Sequence, residues 1–309
     1  MSKTHNSIKY LNLSNTAATL SDLKPVLTRS LNLEVLKISS LEGLTDVALT
    51  RLIFDFYGDT SDTESSSTPQ ALAKLRSLTL RHTLVSGVAL AKLMPHLPRL
   101  EKVDMSFVPI GFMPLETTAS LPPLTKLSLM STPIDAQRLL PILERLPALK
   151  TLNIAALGAS AKTANGFVMG GASKSPMGSR TLTDAVLLKM TEVLRNLPHL
   201  ESVSLAGNAG LGLGKEKGTP YFIRYVGRKL KSLNLAGIPR LRSEDLEGLL
   251  ADDATDECTL ERLILKGCDV GDQAAPFIAC PYLNFLDLQT TKFSGNFAIY
   301  LTFTRLNDY

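Results

Sequence analysis

One frame recurs along the chain and limits its fold more than any other feature: leucine, two variable residues, leucine, one variable residue, leucine. It stands at Leu75, Leu78 and Leu80, at Leu124, Leu127 and Leu129, at Leu149, Leu152 and Ile154, and at Leu200, Val203 and Leu205. It returns at Leu230, Leu233 and Leu235 and at Leu260, Leu263 and Leu265. Looser versions sit at Ile8, Leu11 and Leu13, at Leu33, Leu36 and Ile38, at Leu100, Val103 and Met105, and at Leu283, Leu286 and Leu288. These make about ten repeats, spaced roughly 23–30 residues apart where no insertion intervenes. Inside each frame apolar and variable positions alternate, which predicts a short strand with one face turned inward.

Between frames the apolar spacing becomes helical. Residues 135–147 open with Asp135, carry apolar residues on one helical face and stop at Leu146-Pro147. Residues 86–98, 183–198 and 243–250 read the same way. Strand, helix and return make right-handed parallel units. Helices are wider than strands, so stacking predicts a horseshoe with parallel strands on the concave face and helices on the convex face. A repeat array also accounts for size. A chain of 309 residues with 44% hydrophobic content is long for one compact core, whereas repeats bury their apolar faces against each other. The expectation is one domain over 1–309, with inserted loops near 58–70, 157–180 and 207–218.

These frames resemble those of the leucine-rich-repeat superfamily, in its ribonuclease-inhibitor-like branch. The resemblance implies an α/β leucine-rich-repeat solenoid and covers essentially the whole chain. The unit from Leu260 to Leu288 is similar to the cysteine-containing subtype: Cys268 follows the strand, Gly271-Asp272 starts the helix, and Cys280-Pro281 precedes the next frame. Other repeats hold Thr83, Thr132, Asn208, Ile238 and Thr291 at the position of Cys268, so cysteine is not a fixed feature. The superfamily includes ubiquitin-ligase substrate receptors, small-GTPase regulators, nuclease inhibitors and assembly subunits, so the likeness specifies fold more than function. The helical box that ligase receptors generally carry before their repeats has no room here, because the frames begin by Ile8.

That early start leaves the first repeat without a capping unit. The first strand is either frayed or self-covered, or it is covered by another protein. At the other end, residues 296–306 read as a capping helix. The three cysteines point to reduced thiols in an intracellular setting. The expected compartment is cytoplasmic, cytoskeletal or ciliary, with a mitochondrial one left open. The N-terminus carries no secretory pattern, and no apolar run is long enough to span a membrane.

No set of residues reads as an active site, so the chain is expected not to be an enzyme and to need no cofactor or metal. His5, His82, His96 and His199 are scattered, and Cys268 and Cys280 fall at repeat positions expected in separate buried ladders. Residues 207–218 follow a strand and precede a helix, a context that can cradle phosphate. Ala209 and Glu216 depart from the phosphate-loop pattern, and a surface loop is the plainer reading. Asp252-Asp253 reads as solvated charge at a helix end.

Binding is the remaining expectation. The variable positions of the frames give Lys37, Arg81, Lys102, Asp104, Lys126, Asn153, Ser204, Asn234, Arg262 and Lys266 as candidate concave-face contacts for other proteins. The alternative is a sheet face that is polar only for solubility. The 58–70 loop is acidic and rich in Ser and Thr. The 157–180 loop holds no acid and carries Lys162, Lys174 and Arg180, which suits an acidic protein surface or, as a weaker candidate, RNA. The net charge of +4 is well short of a dedicated nucleic-acid binder.

Overall fold

A computed structural model of the chain describes residues 8–41, 43–57, 72–116, 118, 120–158, 181–250 and 257–294. The 58–70 loop, Lys162, Lys174 and Arg180 of the long loop, His5, Asp252-Asp253 and the expected capping helix at 296–306 lie outside the described residues. The chain divides into two compact units, the first holding the described residues up to Ile134 and the second those from Asp135 onward.

The first unit contains β1 (Tyr10–Asn12), α1 (Leu20–Arg29), β2 (Val35–Lys37), α2 (Asp46–Tyr57), β3 (Ser77–Thr79), α3 (Gly87–Leu93), β4 (Lys102–Asp104) and β5 (Lys126–Ser128). The second contains α4 (Ala136–Leu143), β6 (Thr151–Asn153), α5 (Asp184–Leu194), β7 (Ser202–Ser204), α6 (Gly218–Tyr225), β8 (Ser232–Asn234), β9 (Arg262–Ile264) and β10 (Phe285–Asp287). In each unit the strands pair parallel, neighbour to neighbour in chain order, which makes the fold an α/β leucine-rich-repeat solenoid. Every frame read from the sequence is a strand centred on its middle apolar residue. Register is in step: Leu36 pairs with Leu11 and Leu78, and Leu233 with Val203 and Leu263. The middle residues of β2 to β9 are at most 3% exposed. Those of β1 and β10, Leu11 and Leu286, are half-buried.

Helices start where the sequence supplies an acceptor for their first amides. Asp135 accepts from Gln137 N at 2.9 Å, while Ser86 and Thr183 accept from Ala89 N and Val186 N at 3.4 Å. The α5 face that carries Val186, Leu187, Met190 and Leu194 is buried. Two links depart from the helical expectation. Residues Ser243–Leu249 form a 3-10 helix. The segment is pressed against α6, where a β-carbon on Gly248 would lie 2.9 Å from Arg224 N, and the narrower coil fits that gap. Between β4 and β5 the described residues hold no helix; Pro109, Pro114, Pro122 and Pro123 break it, while Val108, Ile110, Met113 and Leu115 still fill the core. β6 and β7 pair directly across the wide spacing between Leu149 and Leu200.

The strands are three residues long, yet their ladder continues past them. The residue four places after each central apolar residue has φ between 47° and 71°: Asn15, Ser40, His82, Phe107, Ser131, Ala156, Gly207, Gly237, Gly267 and Thr290. This left-handed turn bends the chain out of the sheet while keeping its amide on the neighbouring repeat. Phe107 N donates to Met130 O and Gly207 N to Ala236 O, at 2.8 Å each. One place later comes the position of Cys268. Thr83 and Thr132 donate there to their own repeats, at Leu80 O and Leu129 O. Asn208 bridges to the preceding repeat, donating to Ile154 O at 3.0 Å and accepting from Leu157 N at 3.0 Å.

A β-carbon on Gly237 would meet nothing nearer than 3.8 Å, so replacement there tests the backbone alone. Gly237→Ala is expected to cost about 1 kcal/mol in urea unfolding, because an L side chain is strained in the left-handed region. Ala156→Gly at the same register is expected to be near neutral, since relief of that strain offsets glycine's greater freedom in the unfolded chain.

Candidate functional site

In a three-residue strand the first and third side chains face away from the core, and the second residue past the strand joins them. In-step register stacks those positions into columns. On the first unit the columns bring together Lys37, Arg81, Lys102, Asp104 and Lys126, which the sequence scatters over about ninety residues. They line one depression of about 640 Å³, floored by Ser14, Ser39, Ser40, Ser77 and Thr79.

Cations dominate this face. Asp104 is the one carboxylate among the lining residues, against Lys37, Arg81, Lys102 and Lys126. It stands 3.9 Å from Arg81 Nε, and its Oδ1 accepts from Ser106 N at 3.0 Å. Lys102 and Lys126 are direct register partners on β4 and β5, and neither forms an ion pair among the described residues. Neighbouring strands lie about 4.8 Å apart, so two like charges there oppose the fold. The column two places before the central residues behaves differently. It alternates Lys9, Glu34, Arg76 and Glu101 over β1 to β4, with Thr125 at β5, and Lys150, Glu201, Lys231 and Glu261 over β6 to β9, with Asn284 at β10. Lys9 bridges to Glu34 at 3.3 Å, Arg76 to Glu101 at 2.6 Å and Lys231 to Glu201 at 3.4 Å. Charge is balanced in that column and left unbalanced beside the depression.

Sequence reading missed the aromatic edge of this site. His82 and Phe107 occupy the left-handed turn of adjacent repeats, and their rings stack at 4.2 Å and 12°. The Arg81 guanidinium lies 5.6 Å from the Phe107 ring centre, and Lys37 Nζ 5.3 Å from that of Tyr10. The signal was present, since both residues stand four places after a frame centre, but His82 was counted as one of several scattered histidines. His96, another of the scattered histidines, stacks on Tyr57 at 3.7 Å, and burial pulls its pKa down.

The other candidates lie on the strand face of the second unit, and several already have structural partners. Asn153 and Asn234 accept from the amides of Ala155 and Ala236 at 3.1 and 3.0 Å, closing the strand end as Asn12 and Asp287 also do. The Arg262 guanidinium covers the Phe285 ring at 3.4 Å. Ser204 is half-buried and Lys266 exposed.

The glycine-rich loop before α6 is not an open anion cradle. The Asp184 carboxylate, 1% exposed, accepts from Gly212 N at 2.7 Å, Thr219 N at 3.1 Å and Thr219 Oγ1 at 3.2 Å. The chain's own carboxylate thus sits where a phosphate would be received at the helix start. A β-carbon on Gly218 would lie 2.3 Å from Asp184 O, so that glycine is needed for close packing. Among the described residues no three His, Cys, Asp or Glu side chains converge as metal ligands, and no helix is long and apolar enough to cross a membrane. Cys268 is buried and donates to Leu235 O at 3.1 Å. Cys280 is only half-buried and lies beside Cys258, not in a buried ladder of its own.

No protein-family model matches the chain, and no curated protein does. Solved structures similar to it include an internalin from Listeria monocytogenes, at 17% identity and TM-score 0.41 over 96% of this chain and 85% of that one. A leucine-rich-repeat protein of Leptospira interrogans is 14% identical, with TM-score 0.45 over 97% and 77% of the two chains. The leucine-rich-repeat protein LegL7 of Legionella pneumophila is 15% identical, with TM-score 0.48 over 97% and 90%. The fold assignment stands on strand order and register.

Two substitutions probe these environments. Lys126→Thr is expected to raise the stability of the isolated chain by a few tenths of a kcal/mol in low salt, with the gain fading as salt screens the repulsion from Lys102. Asp184→Ala is expected to cost about 3 kcal/mol in urea unfolding, because it strands buried amide and hydroxyl donors.

Proposed function

We propose that the chain is a protein-binding scaffold that receives an acidic segment of another protein on the strand face of its first unit. The observation that carries this reading is the Lys102 and Lys126 pair, which has no ion-pair partner among the described residues, beside Lys37 and Arg81 and above a floor of small hydroxyl side chains. Glutamate or aspartate side chains of a partner would supply the missing counter-charge, and Ser39, Ser40 and Ser77 would let its backbone approach. Complementary charge of this kind speeds encounter and fixes orientation more than it adds affinity. The small net charge of +4 favours a protein over a nucleic acid, since the cations form a local patch and not a basic surface.

In this reading the chain is a single domain of about ten repeats. The chain belongs in the ribonuclease-inhibitor-like branch, an assignment supported by the α-helices that follow β1, β2, β3, β5, β6 and β7 and by the side-chain hydrogen bonds at the position of Cys268. Its role is that of a subunit in a larger intracellular assembly, and its three free thiols support that setting.

Carbodiimide coupling joins a lysine amine directly to a carboxylate that touches it, which suits this question. Applied to the native complex, it is expected to link Lys102 or Lys126 to Asp or Glu of a partner protein. Charge reversal with Lys102→Glu and Lys126→Glu together is expected to weaken that partner's binding at least about tenfold, or about 1.4 kcal/mol. Links confined to the helical face, or unchanged affinity in the double variant, would overturn the proposal.

A further inference from the structure

The strongest feature outside the strand face is a pair of thiols. Cys258 and Cys280 each precede a frame, on the repeats of β9 and β10, and their sulfurs lie 3.1 Å apart. No residue has to leave its segment for them to meet. The flanking residues are already in contact, with Tyr282 Oη donating to Glu257 Oε2 at 3.1 Å. Cys258 is 4% exposed and Cys280 half-buried, so Cys280 is the more accessible of the two. We propose that Cys258 and Cys280 form a disulfide-forming modification site, oxidised by a small hydroperoxide, that staples the last two described repeats together.

The two sulfurs are not equivalent. The hydrogen bond between the two thiols, the Leu260 amide facing Cys258 and the positive charge of the buried Arg228 guanidinium together draw the Cys258 pKa below that of an ordinary thiol. The same hydrogen bond and burial push Cys280 upward, so Cys258 is the sulfur that ionises first. The thiolate is the nucleophile in sulfur chemistry. Cys268 is the internal contrast. Burial raises its pKa, its hydrogen bond goes to a backbone carbonyl, and its sulfur approaches neither of the other two.

The reaction balances with hydrogen peroxide as oxidant. The Cys258 thiolate attacks one peroxide oxygen, the S–O bond forms, the O–O bond breaks, and the departing hydroxide takes up the proton released by Cys258. Cys258 is then a sulfenic acid. The Cys280 sulfur attacks the Cys258 sulfur, the S–S bond forms, and the S–O bond breaks. The hydroxide that leaves takes the Cys280 proton. Two thiols and one peroxide become one disulfide and two waters. A bonded pair sits near 2.05 Å, so the sulfurs close by about 1 Å.

The place of the pair gives the bond its effect. Leu286 at the centre of β10 is half-buried where its counterparts in β2 to β9 are buried. A cross-link between the β9 and β10 repeats opposes their separation, a local opening that takes place at lower free energy than global unfolding.

The test uses the full chain. It is purified under reducing conditions, freed of reductant, titrated with hydrogen peroxide, alkylated and mapped without reduction. The expected product is one intramolecular link between the Cys258 and Cys280 peptides, with Cys268 alkylated and the free-thiol count falling from three to one. Hydrogen exchange at the Phe285 amide, which bonds to Glu261 O, is expected to slow on oxidation in the wild type and in Cys268→Ser. In Cys258→Ser and Cys280→Ser it is expected to stay unchanged. Sulfinic acid at Cys258 without a link, links that involve Cys268, or intermolecular dimers as the first product would overturn the proposal. The wild-type peptide map decides the matter even if a serine variant folds poorly.

Discussion

A three-residue strand cannot hold itself in place, and this requirement for a neighbour governs the rest of the molecule. Such a strand has too few ladder hydrogen bonds to offset the entropy of ordering its link. The repeats meet the requirement by running the ladder through the left-handed turn that follows, where one more amide reaches the neighbouring repeat. That turn is possible only if every repeat bends at the same place. Seven of the ten positions carry a side chain despite the strain, so position matters there more than residue type.

Common register has a second consequence: each position of the repeat becomes a column with its own chemistry. The central column is apolar and, from β2 to β9, buried; the column two places earlier alternates in charge over most repeats; and the column just after the centre closes the strand end at Asn12, Asp104, Asn153, Asn234 and Asp287. Against that economy the cations beside the first-unit depression stand out. Lys102 next to Lys126 is a local electrostatic cost that no ion pair among the described residues offsets, whereas the polar groups of Asn153, Asn234 and Arg262 already serve the fold. The glycine-rich loop illustrates the opposite outcome. A sequence context able to receive an anion is occupied by Asp184, and the glycines serve packing. The thiol pair follows from the same stacking, since Cys258 and Cys280 are neighbours only because two repeats lie in step.

The frame sequence by itself determined the strands, their parallel order and the caps of α3, α4 and α5. Those features rest on local periodicity and on acceptors next to helix starts, which a single stretch of chain contains. It also identified the outward-facing residues, because alternation within a strand is local too. What the tertiary structure decided is everything that depends on which repeat lies beside which: the Lys102–Lys126 juxtaposition, the His82–Phe107 stack, the Asp184 plug and the Cys258–Cys280 contact. It also decided that residues 243–249 coil as a 3-10 helix and that the Pro-rich link before β5 needs no helix. Periodicity fixes the direction a side chain takes from its own backbone. Its partner depends on the spacing between repeats and on the length of each link, and those quantities exist only once the repeats are stacked.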